Sequence, residues 1–200
     1  MVEPVLCVLN HWINRNGKGW IIHTMSENFE QDPEQPLHVG EEAPDFHLQA
    51  SDCSEFDLSD MAGKVIVLVF LSETFSDYTE DQVHIFKKLH QALKRDNVGV
   101  VGIVTEPMAT IDTFVDEENI PFRILCDFNR EVVEKFGVLA EKMDGLRMVA
   151  RPSVFVVDRN GTIIYRWIRE EDESQPDIDK ITEIARNAGG SGDWKQRNND

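Results

Sequence analysis

Paired sulfur is missing from this chain. Its 200 residues hold only three cysteines, Cys7, Cys53 and Cys126, far apart and odd in number. No C-x-x-C step occurs, which excludes a zinc knuckle and a dithiol redox motif of that spacing. Isolated thiols fit a reducing cytosol, so the expected location is cytoplasmic. Long apolar runs are also missing. The longest, Val65 to Leu71, has seven residues, against the roughly 20 that a bilayer-crossing helix needs. Positive charge is scarce: 20 Lys+Arg against 37 Asp+Glu leave a formal net charge of −17. That surface repels phosphate backbones and anionic lipid, so neither nucleic acid nor a membrane is an expected partner. Two explanations of the acidity stand, plain solubility and adaptation to high salt, where self-repulsion is screened. No glycine-rich phosphate loop follows a strand. No His/Asp/Glu cluster has metal-ligand spacing, so neither metal nor cofactor is expected. The run Glu170-Glu171-Asp172-Glu173 reads as a solvated loop, with a cation site as the alternative.

What is present is a globular domain with tails. Hydrophobic content of 41% and charged content of 28% are ordinary for such a domain. Residues 1–38 mix Trp, Asn and basic residues without a period, then run into an acidic, Pro-bearing stretch. They are expected to be a disordered leader or a mis-called extension, with Met25 rather than Met1 as the alternative start. Residues 39–188 are the expected domain, and 189–200 a frayed tail. Within the domain, alternation predicts strands at 46–49 and 56–58, and buried runs predict strands at 65–71, 98–104, 122–125, 153–157 and 162–167. Helical spacing predicts helices at 78–95, 110–118, 130–136 and 177–188. Their expected inward residues are Ile85, Phe86, Leu89, Ala92 and Leu93 on the first, Ile111, Phe114 and Val115 on the second, and Ile178, Ile181, Ile184 and Ala185 on the last. Asn160-Gly161 marks a hairpin turn, and Gly189-Gly190 the last helix stop. Strands alternating with helices, then a hairpin and a helix, give an α/β sandwich with a mixed sheet.

Four motifs in order carry a family likeness. Val39-Gly40-Glu41-Glu42-Ala43-Pro44-Asp45-Phe46, Leu58-Ser59-Asp60, Gly63-Lys64 and Phe155-Val156-Val157-Asp158 with Asn160-Gly161 resemble the peroxiredoxins, the alkyl hydroperoxide reductase / thiol-specific antioxidant (redoxin) family, over about residues 39–168. The resemblance implies a thioredoxin-like three-layer sandwich, its central mixed β-sheet flanked by helices. It also implies thiol peroxidase activity, a thioredoxin-like reductant or other protein partner, and association into a homodimer. Tyr78 and Trp167 are the expected exposed anchors for such association.

The family's active loop reads P-x-x-x-T-x-x-C, followed by T-x-E. Laid over this chain, the proline falls on Ser72, the threonine on Ser76, the cysteine on Thr79 and the glutamate on Gln82. The family's late arginine falls on Pro152, and Arg151 stands one residue early. Pro152 in that slot is closer to thioredoxin-like reductases, whose proline there is cis. Threonine cannot form a sulfenic acid, and its hydroxyl is a weak nucleophile without an adjacent base. His84, five residues on, is the nearest histidine that follows. Two readings remain open. One is a peroxiredoxin-like domain without peroxidase competence that binds a ligand or partner, with Ser76, Thr79 and Arg151 as candidate binding residues. The other is a working thiol enzyme that uses Cys53, Cys126 or a partner's thiol. Cys126 is expected to be a buried apolar filler, Cys53 an exposed turn thiol, and nothing in the sequence supports a bridge between them. His47 and His90 are expected to be packing or surface residues.

Overall fold

A computed structural model describes residues 35–170 and 175–189. The expected leader before residue 35, the Met25 start, Cys7, most of the acidic run at 170–173 and the tail beyond 189 lie outside the described residues. Leu37 is buried in the core and donates its N–H to the Phe136 carbonyl at 3.2 Å, so packed chain begins ahead of Val39.

Val-Ile-Val-Leu-Val-Phe explains the centre of the fold. These six residues form β3 (Val65–Phe70), and all are buried. A strand apolar on both faces needs cover on both. Val65, Val67 and Val69 enter one core, and Ile66, Leu68 and Phe70 enter the other. β4 (Val98–Val104) and β5 (Arg123–Cys126) extend the sheet in parallel from β3. β8 (Ser153–Val157) and β9 (Ile163–Ile168) continue it antiparallel on the other side. β1 (His47–Ala50) and β2 (Glu55–Asp57) complete a seven-stranded mixed sheet in the order β2-β1-β5-β4-β3-β8-β9. Parallel neighbours require crossover helices. α1 (Asp77–Leu93) follows β3, and α2 (Met108–Glu118) follows β4. Their apolar faces and that of α4 (Ile178–Gly189) share the core of Val65, Val67 and Val69. The opposite core takes Val132 and Val133 of α3 (Glu131–Lys135), with Phe46, Phe56 and Phe136. This is the expected mixed sheet between helical layers.

One expectation about a helix face needs correction. The inward stripe of α1 is Thr79, Gln82, Val83, Phe86, Leu89 and Leu93. Ala92 is exposed and Ile85 half-buried. The last helix does stop at Gly189, as expected. This glycine is the last residue of α4, and a Cβ there would lie 2.6 Å from the Asp96 carbonyl oxygen, so this close approach requires glycine.

One element had no expectation. β6 (Leu139–Met143) and β7 (Leu146–Ala150) form a separate antiparallel hairpin. Asp144 and Gly145 link them with φ of 50° and 87°, the two left-handed residues that a tight primed turn demands. Asp-Gly is the sequence signal that could have found it.

His47 is a surface residue, as expected, but not an idle one. Its Nδ1 lies 2.9 Å from Asp57 Oδ1 across the β1–β2 pair, and its Nε2 meets Glu55. The hydrogen bond to Asp57, with its charge and that of Glu55, raises the imidazole above its ordinary value of 6.5. The pair therefore adds stability below that ordinary value and loses it as pH rises through the raised one. Proton NMR should give a His47 midpoint above 6.5 that moves down in Asp57→Asn. A midpoint at or below 6.5 in the unmodified chain contradicts the pairing.

Candidate functional site

The end of β3 and the start of α1 frame the loop where sequence placed the site. Ser72 and Thr74 are buried there, while Phe75 is 45% exposed with a left-handed φ of 56°. Its ring packs edge-on against Phe114, 5.1 Å between centroids. Ser76 is the N-cap of α1, and its Oγ accepts the N–H of Thr79 at 3.3 Å. This is ordinary capping chemistry, and it occupies the Ser76 hydroxyl. Thr79 is thus in the first turn, where the helix dipole is positive, but its side chain is only 1% exposed. Asp77 and Glu80 share that turn. Gln82 is buried and donates to Gln175 Oε1. His84 is exposed.

The cysteines sit at opposite ends of the sheet. β1 runs antiparallel to β5, with Gln49 opposite Cys126 and Ala50 opposite Leu125. The chain beyond Ala50 therefore leads Cys53 away from the rim that carries the 71–76 loop. Cys53 is exposed, as expected. Cys126 ends β5 at that rim and is half-buried rather than the fully buried filler expected. Its thiol donates to the Glu106 carbonyl at 3.3 Å, and the Glu106 carboxylate accepts the Thr74 N–H at 2.7 Å. One residue therefore links this thiol to the loop. Both thiols are free.

A third group of residues meets at the start of β8. Arg151 donates its N–H to Val138 at 2.7 Å. Pro152 is buried, and its peptide is trans, since no described peptide bond is cis. The cis geometry expected from the reductase likeness is therefore absent. The Pro152 carbonyl accepts the N–H of Arg169, just past β9, at 2.8 Å. The Arg169 side chain is buried. Its Nη1 pairs with Asp144 Oδ2 at 2.7 Å, and its guanidinium lies 4.1 Å from the Tyr78 ring centroid. Such a cation–π contact strengthens when it is shielded from water. Tyr78 precedes Thr79, so this arginine reaches the N-terminus of α1 from a strand the sequence did not implicate. Arg151 and Arg169 line a cavity of about 600 Å³ with Ala140, Lys142, Met143 and Asp144. Ser76 and Thr79 are not among its lining residues, so the three expected binding positions do not share it. Tyr78 and Trp167, the expected anchors, are half-buried. Among the described residues the exposed large apolar ones are Val39, Phe75, Phe128 and Met148.

The AhpC/TSA family model matches residues 39–166, well over half of the chain. The chain belongs to the AhpC/TSA family. Peroxiredoxin Bcp of Bacillus subtilis (strain 168) is 26% identical over 133 residues, 66% of this chain and 85% of that protein. Peroxiredoxin Bcp of Escherichia coli (strain K12) is 28% identical over 134 residues, 64% and 83% of the two chains. The thiol peroxidase of B. subtilis is 29% identical over 164 residues, 76% and 89% of the two. Among solved structures, a peroxiredoxin-like protein from Aquifex aeolicus superposes with a TM-score of 0.69 at 21% identity, covering 77% of this chain and 89% of that one. Peroxidoxin BcpB from Mycobacterium tuberculosis gives a TM-score of 0.63 at 20% identity, covering 76% and 95%. These likenesses establish the thioredoxin-like fold.

Thr79 lies in the first turn of α1, and Pro152 immediately precedes β8. Glu106, Lys142, Asp144 and Arg169 were not foreseen. Three of the four come together only through the β6–β7 hairpin and the end of β9. Among the described residues no helix is long and apolar enough to cross a membrane, and no metal-holding cluster occurs.

Proposed function

We propose that this AhpC/TSA-family chain has lost the family's peroxidase step at Thr79 and acts as a binding or interaction module. The observation that supports it is the enclosed hydroxyl of Thr79 at the first turn of α1, where the family pattern places sulfur. Peroxide reduction needs a thiolate that attacks one peroxide oxygen. The S–O bond forms, the O–O bond breaks, water or an alcohol leaves, and the sulfur becomes sulfenic acid. An alcohol oxygen has no equivalent two-electron oxidation, and no described base touches Thr79. Of the three candidate binding residues, Arg151 is the one that lines a cavity, and it is the remaining candidate for ligand contact. Relatives of this kind imply a thioredoxin-like protein or a second copy of the chain as partner. Phe75, Phe128 and Met148 are the exposed apolar residues available to it.

A second reading has its own observation. Cys126 is half-buried at the loop rim and is linked to Thr74 through Glu106. A thiol there is placed for oxidation by peroxide, followed by reduction by an external thiol. The decisive assay gives the full chain hydrogen peroxide and dithiothreitol after chelation of trace metal. The expected result is consumption at the uncatalysed rate, unchanged in Cys126→Ser and Cys53→Ser. Turnover that disappears in Cys126→Ser would establish the second reading and remove the first.

A further inference from the structure

We infer that the cavity between the β6–β7 hairpin and the start of β8 is a binding site for a small organic monocarboxylate. This deepens the binding reading above and rests on it in that Arg151 belongs to both.

Charge selects the class of ligand. Among the described residues, Lys142, Arg151 and Arg169 face this space together with two carboxylates, Asp144 and Glu170, which leaves one positive charge in excess. The chain as a whole carries a net charge of −17, so this cavity differs in sign from the molecule that surrounds it. One excess charge matches a monoanion, and a doubly charged phosphate would remain half uncompensated. Asp144 is already engaged by Arg169. Neither Lys142 nor Arg151 takes part in any of the ion pairs among the described residues. Two cations are therefore available to a ligand.

Burial supplies the second observation. The Arg169 side chain is 8% exposed, and its Nε–H has no hydrogen-bond partner among the described residues. A buried charged group with an unmet donor is costly, and native proteins rarely retain one without use. The stacking of its guanidinium on Tyr78 and the Asp144 contact fix its plane. That leaves a preorganised positive wall rather than a mobile side chain. Arginine forks match the two oxygens of a carboxylate. Ala140 and Met143 give the same cavity an apolar portion for a short hydrocarbon tail. About 600 Å³ accommodates a molecule of a few carbons with water.

Butyrate is the probe, and butyramide, the same shape without the charge, is its control. Titration of the full chain at low ionic strength, followed by calorimetry and amide NMR, should show butyrate binding with shifts at residues 140–143 and 151. Butyramide should bind at least tenfold more weakly, as should butyrate to Arg151→Gln. Lys142→Gln gives a second variant at an exposed position, because Arg169→Gln removes a buried ion pair and risks the fold. Equal affinity for butyramide, shifts confined to other regions, or no effect of either variant would overturn the assignment. So would inorganic phosphate binding at the same amides more tightly than butyrate. If butyrate fails while the chain remains inert to peroxide, only the ligand class falls. If Cys126 turns over peroxide, the binding reading falls, and the butyrate titration is judged on its own shifts.

Discussion

Thr79→Cys should leave the chain without peroxidase turnover, and its new thiol should alkylate at least tenfold more slowly than Cys53. Two effects oppose each other at this position. The helix N-terminus favours an anion in its first turn, and that dipole lowers the pKa of a thiol placed there. Against it stand burial and like charge. Thr79 is 1% exposed, so a sulfur of similar size is screened from reagent and stripped of water. Desolvation favours the neutral thiol. Asp77 and Glu80 hold two carboxylates in the same turn, which further disfavours a thiolate. Pro152, just before β8, carries no charge that could offset these effects. Arg169, the cation that does approach, is paired with Asp144 and stacked on Tyr78. Cys53 is an internal standard, because it is exposed in the same chain. Peptide mass mapping after timed iodoacetamide treatment compares the two sites directly. Faster modification at residue 79 than at Cys53 would mean that the pocket still activates sulfur and that one substitution alone silenced it.

The same balance of local and distant effects explains what the sequence made legible. The strands at 65–70, 98–104 and 153–157 announce themselves because these short runs are apolar on both faces and rich in β-branched residues, which favours a doubly covered strand over a buried helix. The head of α1 was legible too, since Ser76 followed by Asp77 and Glu80 is a local start signal. The cavity was not. Arg169 lies seventeen residues beyond Pro152, and only the antiparallel pairing of β8 with β9 returns it to the Pro152 carbonyl. Lys142 and Asp144 depend on a hairpin whose β6 strand alternates weakly, Leu-Ala-Glu-Lys-Met, and shows little burial. Cys126 was misjudged for a similar reason. Its neighbours Ile124 and Leu125 are fully buried, but the strand ends at this residue, and the rim leaves its sulfur half covered.

Asp127, the residue after that thiol, carries the second large effect. It is 1% exposed, and its Oδ2 accepts the N–H groups of Val132 and Val133 at 3.0 and 2.8 Å. α3 has only five residues, too few to persist without such support. Its buried Val132 and Val133 help fill the core around Phe136. Asp127→Ala leaves two backbone donors unmet and should cost about 2–4 kcal/mol in denaturant unfolding. A loss under 1 kcal/mol would mean that water replaces the carboxylate freely. Burial also raises the Asp127 carboxyl above its ordinary 3.8, outweighing the backbone N–H groups that hold it down. The folded chain therefore binds this proton more tightly than the unfolded chain does. The neutral form contributes its full stability below the ordinary value, and that contribution is lost as pH rises through the raised one. Asp127→Asn keeps an oxygen acceptor and cannot ionise. The stability of the unmodified chain relative to this variant should then fall as pH rises above about 4 and level off once the raised value is passed. A difference that is flat or rising across that interval would show that the two N–H groups, and not burial, govern the charge at this position.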